Sequence, residues 1–220
     1  MAKVRVRQHV NPLSHKYRTA IVPPSWTEIY ADITRPIHLD IGCARGKFLL
    51  QMAPLFPNIN FLGIEIRETL VKEAHQQAQE KGLDNVCFIY GNINTFPEQL
   101  LQSLPGKLVC VSIQFPDPWF KRRHAQRRVV QAGLVNALAQ YIQPEGLVFL
   151  QSDVEDIALE MTQKFQENSG FKKETGSLEE SIFPVATERE SSTISKDQPV
   201  YRSVFKKVNY PEERNKSHNR

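Results

Sequence analysis

Three features of the chain predict a doubly wound α/β domain on a mostly parallel sheet. Short, almost wholly apolar runs recur between residues 36 and 153, helical patterns alternate with them, and glycine or a polar side chain closes each run. Strands apolar on both faces belong in a sheet covered on both sides, and strands separated by helices belong in a parallel one.

Each element follows from its residues. PIHLDIG (36–42) is a short strand ending in glycine. GKFLLQMA (46–53) has helical spacing, and Pro54 stops it because proline offers no N–H. NINFLGIEI (58–66) is a second strand, and ETLVKEAHQQAQEKG (68–82) a helix closed by Gly82. NVCFIYG (85–91) and KLVCVSIQF (107–115) are the third and fourth strands. QRRVVQAGLVNALAQYIQPEG (126–146) carries an amphipathic pattern and predicts one long helix ending at Pro144. LVFLQSD (147–153) is the fifth strand and VEDIALEMTQKFQEN (154–168) a helix, while YRSVFKKVN (201–209) alternates like an edge strand. Residues 1–35 carry the proline-bearing stretches NPLSHKY and VPPSW and read as a basic, extended arm. The division expected is an arm (1–35), one domain (36–208) and a polar tail (209–220).

Composition excludes several classes. The chain has 220 residues, 40% of them hydrophobic and 24% charged, as an ordinary soluble domain does. The opening MAKVRVRQHV has no apolar stretch of a secretory leader, and no run approaches the ~18 residues of a spanning helix. A cytoplasmic protein without membrane contact is expected. Cys43, Cys87 and Cys110 are far apart and show no C-x-x-C spacing, so buried reduced thiols are expected, with neither a disulfide framework nor a metal site. The net charge of +4 is unevenly placed. Residues 1–27 hold five cations and no acid, and Lys121, Arg122, Arg123, Arg127 and Arg128 form a second cluster. Such clusters favour a polyanion.

Ligands of open α/β sheets bind beyond the carboxyl ends of the strands. The predicted strands deliver Asp40, Glu65, Asn92, Asp117 and Asp153 to that rim. After the first strand, Gly42 and Gly46 permit a tight turn, but Ala44 and Lys47 stand where a dinucleotide fingerprint needs glycine. A pyrophosphate is therefore not supported. A carboxylate at Asp40 would attract an ammonium, and Glu65 suits a ribose diol. A ligand with an amino-acid head and an adenosine but no phosphate satisfies both, which is S-adenosylmethionine.

The segments LDIGCARGKFL, GIEI, GNI, FPDPWFKRRHAQRR, LQSD and ATERE resemble, in this order and spacing, those of the bacterial tRNA (guanine-N7)-methyltransferases. The likeness covers roughly residues 36–208, and its most distinctive part is PDPWFKRRH with the basic run behind it. It implies a class I, Rossmann-like sheet of seven strands with an antiparallel C-terminal edge strand. It implies S-adenosylmethionine at Asp40, Gly42, Glu65 and Asn92, with Asp117 both catalytic and in touch with the cofactor. Lys121, Asp153, Thr187, Glu188, Arg189 and Glu190 would meet the substrate nucleoside, and Arg122, Arg123, His124, Arg127 and Arg128 the RNA backbone. The acceptor implied is the variable-loop guanosine, tRNA position 46, and the protein a monomer or homodimer. Three positions depart from the family pattern: Asp40 stands where Glu is common, Ala44 replaces glycine, and Arg189 an aromatic. The shorter Asp40 would hold the methionine amine through water.

The chemistry suits these residues. Guanine N7 has a free lone pair and no proton, so its methylation needs no general base. A carboxylate beside the base would stabilise the charge that develops and accept from the N1–H and N2–H₂ edge that adenine lacks. Prolines on both sides make Asp117 a fixed acceptor rather than a mobile proton shuttle. Of Trp119 and Phe120, one is expected to close the core and the other to stack on a base. The cations, read as the start of the long helix, would oppose its macrodipole, which favours phosphate binding as their reason. Arm residues are expected to fold over RNA or cofactor on binding. Two alternatives stand: a methyltransferase for another RNA, and a non-catalytic RNA-binding module.

Overall fold

The computed structural model describes residues 10–175 and 179–208. The expected tail, 209–220, lies outside them. In chain order the elements are β1 (Ile37–Ile41), α1 (Lys47–Leu55), β2 (Asn60–Glu65), α2 (Glu68–Glu80), β3 (Val86–Tyr90), α3 (Pro97–Ser103), β4 (Leu108–Gln114), α4 (Ala132–Tyr141), β5 (Ile142–Ser152), α5 (Glu155–Gln166), β6 (Phe171–Lys173), α6 (Glu188–Ile194) and β7 (Tyr201–Lys207).

They form one seven-stranded sheet in the order β3-β2-β1-β4-β5-β7-β6. Strands β1 to β5 pair in parallel, and β7 runs antiparallel to both β5 and β6. Every residue of β1 and β2 is buried, as strands covered on both faces must be. Alternate side chains feed two apolar layers. Leu39, Leu62 and Val111 join one with α3, α4 and α5, while Phe61 and Phe88 join the other with α1 and α2. The segment before β1 adds to the first layer: Trp26 and Tyr30 are buried and stacked at 5.7 Å, and Tyr30 Oη donates to Phe61 O at 3.0 Å.

The single long helix expected over 126–146 is instead three things. Residues Arg122–Arg127 form a short 3-10 stretch, α4 begins only at Ala132, and Ile142 already pairs with Leu108 of β4. Between them Val130 turns into the core and Arg128 toward α5, which holds the backbone extended. Pro144 lies in a bulge: β4 pairs Leu108 with Ile142 and next Cys110 with Leu147, so the intervening residues loop out. The cations therefore do not sit at a helix N-terminus, and the macrodipole argument for them does not hold. Pro54 lies inside the last turn of α1, which runs on to Leu55 rather than stopping before the proline. Strand β7 is antiparallel as expected, but three-residue β6 covers its outer side, so β7 is not the edge.

Candidate active site

The strand order reverses between β1 and β4, and connections leave the sheet there in opposite directions, which opens a crevice at the carboxyl ends. Gly42, Glu65, Arg67, Asn92, Gln114 and Asp117 line a cleft at that place.

The loop after β1 is tied down by its own backbone. Gly42 N and Cys43 N both donate to Ile64 O, at 2.8 and 3.1 Å, and Ala44 N donates to Glu65 Oε2 at 3.0 Å. With these N–H groups engaged the loop offers no cradle for a phosphate, in agreement with the missing fingerprint. Gly46 has φ 67°, and a Cβ there would stand 2.4 Å from the Phe88 ring, so the close helix–sheet contact requires glycine. Ala44 also takes a left-handed conformation, φ 50°, which costs an L-residue roughly 1–2 kcal/mol.

Glu65 ends β2 and is buried. Its Oε1 accepts from Arg67 N and Nε, both at 2.9 Å, and Oε2 accepts from an Arg67 terminal nitrogen at 2.9 Å. This fork-on-fork pairing fixes the carboxylate plane. Burial acts against the Arg67 charge, but the bonds to Glu65 and the fields of Glu65 and Asp117 outweigh it and raise the pKa. One guanidinium thus serves two acids of the cleft.

Asp40 stands behind the cleft wall, 4% exposed. Its Oδ1 accepts from Ser112 Oγ at 2.6 Å and Gln114 Nε2 at 3.3 Å. Burial lifts its pKa from 3.8 to about 6 against those two bonds. Ser112 Oγ lies 2.9 Å from His38 Nε2, and burial pushes the His38 pKa down to about 3. The serine's single proton goes to Asp40, so the neutral His38 supplies its own Nε2–H to the serine. Asn92 uses its amide within the chain: Nδ2 donates to Pro12 O and Tyr17 O at 3.2 and 3.4 Å, and Oδ1 accepts from Asn94 N at 3.1 Å. Arm residues 10–17 are thereby held against the cleft, and Val10 and Pro12 line it.

Asp117 is exposed at the cleft mouth, flanked by two non-glycine residues of positive φ, Phe115 at 48° and Trp119 at 42°. Such backbone strain clusters at working loops. Neither aromatic closes the core, contrary to expectation. Trp119 is half-buried, with the Arg127 guanidinium 4.9 Å above its ring and the His124 ring edge-on at 5.7 Å, and Phe120 is 74% exposed. Trp119 finds these partners within the loop, so it has no need of the core. Lys121, Arg122 and Arg123 point outward. Slight burial and then the fields of Arg127, Arg123 and Lys121 hold the His124 pKa down. Arg128 differs from the other cations: its guanidinium donates to Pro118 O and Trp119 O, at 2.9 and 3.3 Å, and pairs with Glu160. It braces the loop from beneath.

The segment 187–190 opens α6 with a capping box. Thr187 Oγ1 accepts from Glu190 N at 3.1 Å, and Glu190 Oε2 accepts from Thr187 N at 3.3 Å. Glu190 faces inward, 2% exposed, and binds Arg202 at 2.8 Å through Oε1 and Gln151 at 3.2 Å through Oε2. Glu188 pairs with Lys47, and Arg189 reaches Asp153 at 2.8 Å. The segment's outward side chains are Glu188 and Arg189.

Sequence reasoning missed Arg67, Gln114, Gln151 and Arg202. A polar side chain inside an otherwise apolar strand end marked Gln114 and Gln151, and T-x-x-E at 187–190 was a capping-box signature. Among the described residues no group of three or more His, Cys, Asp or Glu could hold a metal, and no helix is long and apolar enough to cross a membrane.

Residues 34–203 match a family model described as "Putative methyltransferase". A Microcystis aeruginosa protein named tRNA (guanine-N(7)-)-methyltransferase is 66% identical over 94% of this chain and 99% of its own length. A protein of the same name from Trichormus variabilis is 54% identical over 93% of this chain and 97% of its own. Among solved structures, the antibiotic-resistance methyltransferase Kmr superposes with a TM-score of 0.55 at 14% identity, covering 84% of this chain and 91% of Kmr. At that identity the likeness is one of fold.

Proposed function

The chain belongs to the tRNA (guanine-N7-)-methyltransferase family, and from that premise we propose how its residues carry out the reaction. It transfers a methyl group from S-adenosylmethionine to N7 of a guanine in tRNA, giving 7-methylguanosine. The observation that carries this reading is the cleft at the β1/β4 reversal, where Glu65, Asn92 and Asp117 line one cavity with the cations of 121–123 beside it.

The donor set fits the methyl donor. Buried carboxylates at Asp40 and Glu65 suit an ammonium and a ribose diol, and a glycine loop whose N–H groups are already engaged suits a ligand without phosphate. The donor supplies an electrophilic methyl group on a sulfonium. Asp40, Gly42, Glu65 and Asn92 hold it, with Asp40 acting from behind the wall through water or Gln114. To do so, Glu65 and Asn92 exchange bonds to Arg67 and to Pro12 and Tyr17 for bonds to the ligand. Asp117 accepts from the guanine N1–H and N2–H₂ edge and faces the positive charge gained by the purine. No proton leaves N7, so no residue is needed as a base. What remains is alignment of N7 with the methyl group, which the fixed loop provides.

Lys121 and Asp153 adjoin the acceptor nucleoside together with Thr187, Glu188 and Arg189, whereas Glu190, expected there too, is buried behind them against Arg202 and Gln151. Arg122, Arg123, His124 and Arg127 meet phosphates, and Arg128 keeps their loop in place. The acceptor is the guanosine at tRNA position 46, in the variable loop. All these residues come from one chain, so a monomer or each half of a homodimer suffices, in the cytoplasm where its substrate is made. The test uses bulk unmodified tRNA, methyl-labelled S-adenosylmethionine and digestion to nucleosides. Label in 7-methylguanosine is expected; label in another nucleoside overturns the acceptor, and tight tRNA binding without label overturns the activity.

A further inference from the structure

We propose that Gln151 is a positioning residue for the Asp117 loop, acting through Phe115 and Gln114 and itself locked by the buried Glu190–Arg202 pair. The inference rests on the reaction proposed above and assigns these side chains a task apart from contact with substrate.

The sheet register creates the arrangement. Gln114 of β4 pairs with Gln151 of β5, and Gln151 with Arg202 of β7, so three polar residues stand side by side on adjacent strands. Gln151 is fully buried. Its Nε2 donates to Gln114 Oε1 at 2.7 Å and to Glu190 Oε2 at 3.2 Å, and its Oε1 accepts from Arg202 Nε at 3.3 Å. Its backbone carbonyl accepts from Phe115 N at 2.8 Å. One residue therefore grips the root of the loop twice, by main chain at Phe115 and by side chain at Gln114.

That root is where the chain must be forced. Phe115 leaves β4 with φ 48°, a conformation costing a non-glycine residue roughly 1–2 kcal/mol, and Asp117 follows two residues later. An error in the turn at Phe115 is carried straight to the carboxylate. The ion pair behind Gln151 is 4% and 2% exposed at its side chains. Apolar residues of equal volume usually match or exceed the stability of such a buried pair, so a gain in stability is not its evident purpose. It orients the Gln151 amide: Glu190 takes an amide hydrogen and Arg202 the amide oxygen, which leaves the other hydrogen for Gln114. Gln114 donates onward to Asp40, so acids on the two sides of the cleft share one frame.

The test compares full-length Gln151→Leu and Gln151→Glu with the unaltered chain. Gln151→Leu is expected to lower kcat about 10- to 100-fold, the effect of a carboxylate misplaced by about 1 Å, while KM for tRNA stays within about twofold. Gln151→Glu replaces the N–H donor with an oxygen facing Glu190, with Arg202 alongside and Asp40 beyond Gln114. Its kcat should recover toward the unaltered chain as pH falls, because the protonated carboxyl donates again. A readout free of turnover is acrylamide quenching of Trp119 in a Trp26→Phe background, expected to rise in Gln151→Leu. Unchanged kcat in the folded variants, a pH-independent ratio for Gln151→Glu, or unchanged quenching overturns the proposal. Failure of the unaltered chain to methylate guanine N7 overturns the reading beneath it instead, and the quenching still decides the loop.

Discussion

Replacing Asp40 by Asn should stabilise the fold and weaken cofactor binding, and the structure sets the size of the first effect. Burial lifts the Asp40 pKa from 3.8 to about 6, although Ser112 and Gln114 donate to it. In the unfolded chain the group keeps an ordinary carboxylate pKa, so between those two values the native state holds more proton than the unfolded one. Stability therefore falls as pH rises through this window and is level above it. At about 1.4 kcal/mol per tenfold change the charged Asp40 costs the fold about 3 kcal/mol above pH 6. About 2 kcal/mol of that is lost between about pH 4.5 and 7.5. Asn has nearly the same shape, still accepts from Ser112 Oγ, and does not titrate. Urea unfolding at several pH values should show the Asp40→Asn curve gaining about 2 kcal/mol on the unaltered chain across that range. Curves that stay parallel would refute the account of a charge held in place against its burial. In the same series, S-adenosylmethionine should bind the unaltered chain more tightly as pH rises toward 6 and then level off. Asp40→Asn should bind it weakly throughout.

Asp117→Asn should keep cofactor affinity and lose about 10²-fold or more in turnover, since the negative charge facing the purine is gone; calorimetry and initial rates separate the two. Replacing Arg122 and Arg123 by Ala should flatten the salt dependence of tRNA binding by about one unit of slope per lost phosphate contact. Arg128→Ala should instead lower turnover and thermal stability with that slope unchanged, because its guanidinium holds Pro118, Trp119 and Glu160. Thr187→Ala should cost about 1 kcal/mol by removing a helix cap, read as a lower urea midpoint.

The parts of the fold legible in the chain were those set by local pattern. Strands β1 to β4 and the second half of β5 read correctly because burial leaves a nearly unbroken apolar run. Glu65, Asn92 and Asp117 reach the cleft because such runs end where polarity returns, whereas Asp40 lies within β1 behind the wall and Asp153 outside the cleft lining. The region 126–146 did not, because its helical periodicity continues across residues whose fate is decided elsewhere. Arg128 is drawn to Glu160, 32 residues away, and Ile142 is claimed by β4. Short α3 and three-residue β6 carry too few residues for any periodicity to mark them. The cations of 121–128 were assigned to phosphate on a step that does not hold. With α4 starting at Ala132 there is no macrodipole for them to oppose. What favours phosphate is that Lys121, Arg122 and Arg123 are exposed beside Asp117, while Arg128 is engaged by the loop itself.

The same distinction separates the acids of the site. Asp117 announced itself, since a carboxylate between prolines after a strand is a local pattern. Glu190 belongs to a motif just as visible, yet its orientation could not be read from it. Thr187 and Glu190 close a box with each other three residues apart, and that turns the carboxylate toward the sheet. Its partners there are Gln151, 39 residues away, and Arg202 across the next strand. Gln114 and Gln151 are 37 residues apart and meet only because β4 and β5 take a register in which one faces the other. A slip of one residue would send every side chain of the strand to the opposite face. Pattern in the chain thus points to groups that line the cleft, whereas the bonds behind them exist only once strand pairing has been chosen.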